Sequence, residues 1–208
     1  MNADARMNRL ELVSAILLAI ATVFTAWSAF QANKWGGVMS IRFAEANTAR
    51  TESTQASTTA GQLATIDVTI FTEWAQAVAS EQSVLEQFFQ ERFRDEFRPA
   101  FDAWIATDPL QNPDAPPTPF AMPEYQLADA QRSTDLAARA DQRTEQARQA
   151  NQRGDNYVLT TVLFAAVLFF AGVSTKFTRL RTKTFAVGFA VALLMAGIVV
   201  LATFPVEI

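Results

Sequence analysis

Three stretches of this 208-residue chain, at residues 12–30, 158–175 and 185–204, contain no ionisable side chain and are almost wholly apolar. Each has roughly the 17–25 residues that a helix needs to cross a bilayer. Backbone amides in hydrocarbon have no water to bond, so such stretches must close their hydrogen bonds internally as helices. The expected fold class is therefore an all-α membrane protein. It has three transmembrane helices and a helical, stalk-like or coiled-coil-like domain between the first and second.

The link between the last two runs fixes the expected orientation. Residues 176–184 hold Lys176, Arg179, Arg181 and Lys183 and no acid. Short loops rich in Lys and Arg stay on the cytoplasmic side. The predicted order is a cytoplasmic N-terminus (1–11), span one (12–30), an extracytoplasmic domain (31–157), span two (158–175), a cytoplasmic basic loop (176–184), span three (185–204) and an extracytoplasmic tail (205–208). Arg6 and Arg9 flank span one on its inner side, and Trp27, Phe30, Trp35 and Tyr157 fall at the outer boundary, where amphipathic rings commonly sit. The first run exceeds the usual length of a leader peptide's apolar region and lacks a clean small-x-small site after it, which favours a retained span.

Charge divides by compartment. Residues 31–157 carry 11 basic and 18 acidic side chains, while the whole chain has a net charge of −4. An acidic domain argues against nucleic acid as a partner. The absence of Cys and His removes disulfides and the usual zinc, haem, iron–sulfur and copper ligand sets, so no metal or cofactor is expected.

Within the outer domain, residues 38–63 are rich in Ala, Thr and Ser. Ala46, Ala49, Ser53, Ala56, Ala60 and Leu63 form one seam; Ala130, Thr134, Ala137, Thr144 and Ala147 form a second beyond Leu127. Small residues at this spacing let helix backbones approach closely. The expected result is an antiparallel two-helix stalk, about 35 Å long for about 25 residues. Its seams hold few large side chains and bury little apolar area per turn, so they need a cover. Self-association would supply one, and so would the chain's own middle segment.

That middle segment is aromatic. Leu85, Phe89, Phe93, Phe97 and Phe101 recur at every fourth position, interleaved with Glu91, Arg92, Arg94, Asp95, Glu96 and Arg98. The pattern predicts one amphipathic helix, kinked or restarted at Pro99. Its aromatic face is expected to pack in a core or against another subunit, because interfacial helices are usually Lys- and Arg-rich. Six prolines in residues 108–123 predict an extended strap, with Phe120 and Met122 as anchors.

No catalytic constellation emerges: nucleophile–base pairs without His or Cys would need Ser with Lys or paired carboxylates, and no phosphate-binding loop is present. The spans contain none of the ionisable residues typical of coupled transporters. Gly188, Ala192 and Ala196 make a four-spaced small stripe on span three, suited to tight helix contact. Thr22, Thr25, Thr160 and Thr161 would either line a narrow wet path or bond back to their own helices.

Four segments carry a resemblance: WSAFQANKWGG at 27–37, RTEST at 50–54, NPDAPPTPFAMPEY at 112–125 and DNYVLTTVLFAAVLFFAG at 155–172. In these the chain resembles an uncharacterised family of bacterial inner-membrane proteins with one N-terminal and two C-terminal spans. The resemblance implies a bacterial origin and the three-span layout, and no activity or ligand. The expected function is a non-enzymatic, self-associating scaffold or accessory subunit of a larger membrane complex. An oligomeric channel and an extracytoplasmic sensor are the alternatives.

Overall fold

The computed structural model describes residues 3–207; Met1 and Asn2 of the expected N-terminal segment and Ile208 of the expected tail lie outside the described residues. Every regular element among them is helical: α1 (Ala3–Ala79), α2 (Ser83–Gln90), α3 (Arg98–Ile105), a 3-10 turn (Pro119–Ala121), α4 (Ala128–Ser174) and α5 (Leu180–Ala202). No proline precedes Pro99, so nothing in residues 3–79 forces a break. Gly36, Gly37 and Gly61 each cost the helix about 1 kcal/mol relative to alanine, and α1 runs through all three. Helices α1, α4 and α5 each contain a stretch long and apolar enough to cross a membrane.

The chain divides into two compact units. The first comprises residues 3–44 and 143–207, with a core of Leu17, Ala21, Phe164, Val167, Ala171, Val187, Ala190 and Leu194. Phe24 stacks on Phe164 at 5.4 Å between ring centroids. Leu12, Val23, Val162, Phe169, Phe185 and Val199 point outward. Alanines at Ala21, Ala171 and Ala190 let the helices approach closely, and the apolar exterior is what a bundle solvated by lipid requires.

Polar ties join the three helices of this unit at separate levels. The Ser14 and Ser174 hydroxyls lie 2.9 Å apart, and Lys183 Nζ donates to Glu11 Oε1 at 2.7 Å. Farther along, the Thr160 and Ser28 hydroxyls lie 3.1 Å apart. At the other end the side-chain amide of Gln31 bonds the Glu207 backbone in both directions, each at 3.0 Å. Trp35 Nε1 and the Tyr157 hydroxyl donate to the Pro205 carbonyl at 3.2 and 3.0 Å. Residues 205–207 are thereby fastened beside α1 and α4.

The second unit, residues 45–142, is built on an aromatic core. Phe71 and Trp74 from α1 meet Phe93, Phe97, Phe101 and Trp104. The contacts are mostly edge-to-face, such as Trp74 on Phe101 at 4.8 Å, a geometry worth about 0.5–1.5 kcal/mol beyond burial. The proline-rich strap crosses this core: Phe120 stacks on Phe97 at 5.1 Å, and Trp104 Nε1 donates to the Pro116 carbonyl at 2.7 Å.

One expectation is corrected here. The middle segment is not a single amphipathic helix. Glu81 adopts φ 56° just past α1, α2 ends at Gln90, and turns separate it from α3. Pro99 stands in the first turn of α3, where its missing N–H costs nothing.

Candidate functional site

Asp67 sits in the second unit on the face of α1 that Phe71 and Trp74 carry into the aromatic core. It is the one acid in the stretch LATIDVTIF, and it is 1% exposed. Its Oδ2 accepts from Arg94 Nη1 at 2.8 Å and from the Tyr125 hydroxyl at 3.2 Å. The other terminal nitrogen of Arg94 pairs with Glu96. Glu96 Oε1 in turn accepts from the Ala128 backbone amide at 3.3 Å, one of the donors that a helix start leaves without an intrahelical partner. One network thus ties α1, the turn after α2, the end of the strap and the start of α4.

Burial raises the Asp67 carboxyl above its ordinary value of 3.8, outweighing the opposing pull of Arg94 and Tyr125. Burial, followed by the Asp67 charge, pushes Tyr125 up to about 12, so it remains a phenol and a donor. Asp67 Oδ1 and Trp74 Nε1 are buried without a hydrogen-bond partner among the described residues. One cation here faces two carboxylates, and the groups are turned on one another. The arrangement fastens segments.

The neighbouring helix is built differently. No residue of α2 is buried. Val84 is 85% exposed, Leu85 38% and Phe88 44%. The Arg92 guanidinium lies 3.5 Å above the Phe88 ring, and its Nη1 donates to the Phe88 carbonyl at 2.9 Å. An open hollow beside this face is lined by Glu81, Gln82, Ser83, Val84, Leu85 and Phe88. Among the described residues no group of three or more acids is placed to hold a metal ion.

The residues singled out from the sequence fall into three sets. Ala46, Ala49, Ala56 and Ala60 are buried on α1, and the Ser53 hydroxyl donates to the Ser133 carbonyl of α4 at 2.8 Å. On α4, Ala147 is buried, but Ala130 and Ala137 are exposed, which corrects the second seam. Between Ala130 and Tyr157 the buried positions are Ala140, Ala147, Ala150, Gly154 and Tyr157. Alanines occur at several phases of this helix, so their spacing alone does not select a face. The stripe Gly188, Ala192 and Ala196 is exposed within the chain, and the inward face of α5 carries Ala186, Ala190, Leu194 and Gly197. An ideal Cβ on Gly197 would lie 2.7 Å from Phe164 Cε1, whereas one on Gly188 meets nothing within 4 Å.

The basic residues also differ from expectation. Lys176 and Arg179 lie in the link between α4 and α5, and Arg181 in the first turn of α5; all three are exposed. Lys183 is 1% exposed and spent on Glu11. It lies on the helix, not in a loop, because α5 already begins at Leu180. The hydroxyls of Thr22, Thr25 and Thr161 donate to the carbonyls four residues earlier. Sequence reasoning missed Asp67, Gln31 and the Glu11–Lys183 pair. A lone acid inside an aromatic stretch was the available signal for Asp67.

No family model, curated protein or solved structure matches the chain.

Proposed function

We propose that this chain is a non-enzymatic integral membrane protein of a bacterial inner membrane. It self-associates and serves as a scaffold or accessory subunit through the helical domain between its first and second spans. The N-terminus and the α4–α5 link lie in the cytoplasm, and residues 31–157 lie outside it. Supporting the orientation, Lys176, Arg179 and Arg181 remain exposed beside that link after Lys183 is paired with Glu11.

The observation that carries the reading is α2: a helix without a buried residue, displaying Val84, Leu85 and Phe88, beside a buried aromatic core. Contiguous exposed apolar side chains beside an organised core mark an interaction surface. The channel alternative draws no comparable support, since threonines that would line a wet path satisfy their hydroxyls on their own helices.

The test is extraction of the full chain from native membranes, followed by native mass measurement and affinity recovery. A dimer or higher species, with or without stoichiometric partner subunits, is the expected result. A strict monomer with no co-purifying subunit, at every detergent and in bilayer discs, would refute it.

A further inference from the structure

We infer that α2 is the self-association surface and that it meets the α2 of a second copy antiparallel across a two-fold axis. This inference rests on the self-associating reading above and gives it a location. Val84, Leu85 and Phe88 form one exposed apolar stripe on α2, and Glu81 in the turn before the helix and Arg92 in the turn after it flank that stripe. The structure joins the stripe at both ends: Glu81 shares the open hollow with Val84, Leu85 and Phe88, and Arg92 lies over the Phe88 ring.

The stripe is complementary to itself when reversed. In an antiparallel pair, opposed residues are equidistant from the axis. An axis between residues 86 and 87 sets Leu85 against Phe88 of the second copy. The same axis sets the turn that carries Glu81, at one end of α2, against the turn that carries Arg92, at the other end. One operator therefore matches apolar to apolar at the centre and acid to base at both ends, as an isologous contact requires. Among the described residues neither Glu81 nor Arg92 has an ion pair within its own chain. Arg92 spends one bond on the Phe88 carbonyl, and its guanidinium has further donors. Glu86, the acid nearest the axis, lies more than a quarter turn off the stripe by helical spacing, so like charges do not meet at the centre.

The flanks also distinguish this occupant from a lipid surface. Helices that lie on a bilayer carry Lys and Arg beside their apolar face. Here the flanking charges include Glu81, Glu86 and Glu91, which anionic headgroups would repel. A contact of two helical turns is small, and confinement of both copies in one membrane raises its effective concentration.

The chain has no cysteine, so single substitutions report cleanly. In native membranes, chains carrying Leu85→Cys mixed with chains carrying Phe88→Cys should cross-link with a short bifunctional reagent. Exposed controls Thr58→Cys and Gln131→Cys should not. Glu81→Arg and Arg92→Glu should each lower the dimer fraction severalfold, and the double reversal should restore it. Val84→Ser, at a position too exposed to disturb the fold, should also weaken the dimer. A dimer that persists through both single reversals without the 85–88 cross-link would overturn the inference and leave self-association standing. A monomer in all these measurements would remove both. An environment-sensitive label at Leu85→Cys that follows lipid content but not protein density would assign the face to the bilayer and overturn the inference.

Discussion

Replacing Arg94 by methionine should cost the second unit about 3 kcal/mol at neutral pH, and the cost should fade with acid. The substitution keeps most of the side-chain volume and removes the cation paired with Asp67. A buried carboxylate stripped of its partner is typically worse by about 3–5 kcal/mol. The lower end applies because the Arg94 side chain is partly exposed, so its charge is partly screened. Burial already holds the Asp67 carboxyl above 3.8 in the native protein. The native state therefore takes up this proton more readily than the unfolded chain does. The stability contributed by this group is greatest below 3.8 and is lost as pH rises through the native value. Without Arg94 the native value climbs further, so the penalty grows with pH and disappears once Asp67 is protonated in both proteins. Asp67→Asn should be neutral or stabilising at neutral pH, and in that background Arg94→Met should cost only about 1 kcal/mol, an ordinary lost hydrogen bond. Chemical unfolding of the full chain in detergent, with hydrogen exchange at the amides of residues 63–78 as the local readout, measures all three. A penalty that stays constant from about pH 4 to about pH 8 would refute the account of burial as the dominant cause.

Three further outcomes follow from particular contacts. Gly197→Ala should destabilise the first unit by about 1–3 kcal/mol by overpacking against the buried Phe164 ring, whereas Gly188→Ala should change the thermal midpoint little. Ala140→Leu should lower stability by a similar amount of about 1–3 kcal/mol, while Ala137→Leu, on the exposed side of α4, should shift it by less than about 0.5 kcal/mol; thermal unfolding of the pair tests the corrected seam. Gln31→Ala should free residues 205–207 by removing both bonds to the Glu207 backbone. Carboxypeptidase trimming of the C-terminus should then speed up, and an unchanged rate would show that Trp35 and Tyr157 hold the tail alone.

The apolar runs were readable because the signal is cumulative: about 20 residues without a charge have few other uses, and α1, α4 and α5 each contain one. The seams were readable only in part. On α1, polar Thr and Gln flank the alanines and leave one phase for the interior, so Ala46, Ala49, Ala56 and Ala60 are buried. On α4 alanine occupies several phases at once, and the hydrophobic difference between one alanine and the next is too small to select a face. The same holds for α5, where every side of the helix is apolar and Gly188 and Gly197 are indistinguishable without Phe164 to press on one of them. Asp67 and Gln31 find their partners far along the chain, at Arg94, Tyr125 and Glu207. Side-chain pairing across such separations leaves no periodic trace.

The aromatic segment shows how a sequence pattern can point at its own failure. Positions 85, 89, 93, 97 and 101 recur every four residues, and a helix turns about 100° per residue. Each step therefore advances about 40° around the axis, and four steps carry the stripe through about 160°. No straight helix could hold all five side chains against one core. The chain keeps the later members and releases the first: Phe93, Phe97 and Phe101 are buried, and Leu85 is exposed. The break between α2 and α3 is where the rotation is absorbed, with Arg94 and Glu96 inside the break reaching Asp67 and the start of α4. The exposure of α2 is thus a geometric consequence of burying the aromatics that follow it. Restoring a continuous helix, for instance by Pro99→Ala with Asp95→Ala, should either pull Phe97 from the core or fail to lengthen α2. Helicity that rose while the Trp74 and Trp104 environments stayed unchanged would contradict that link.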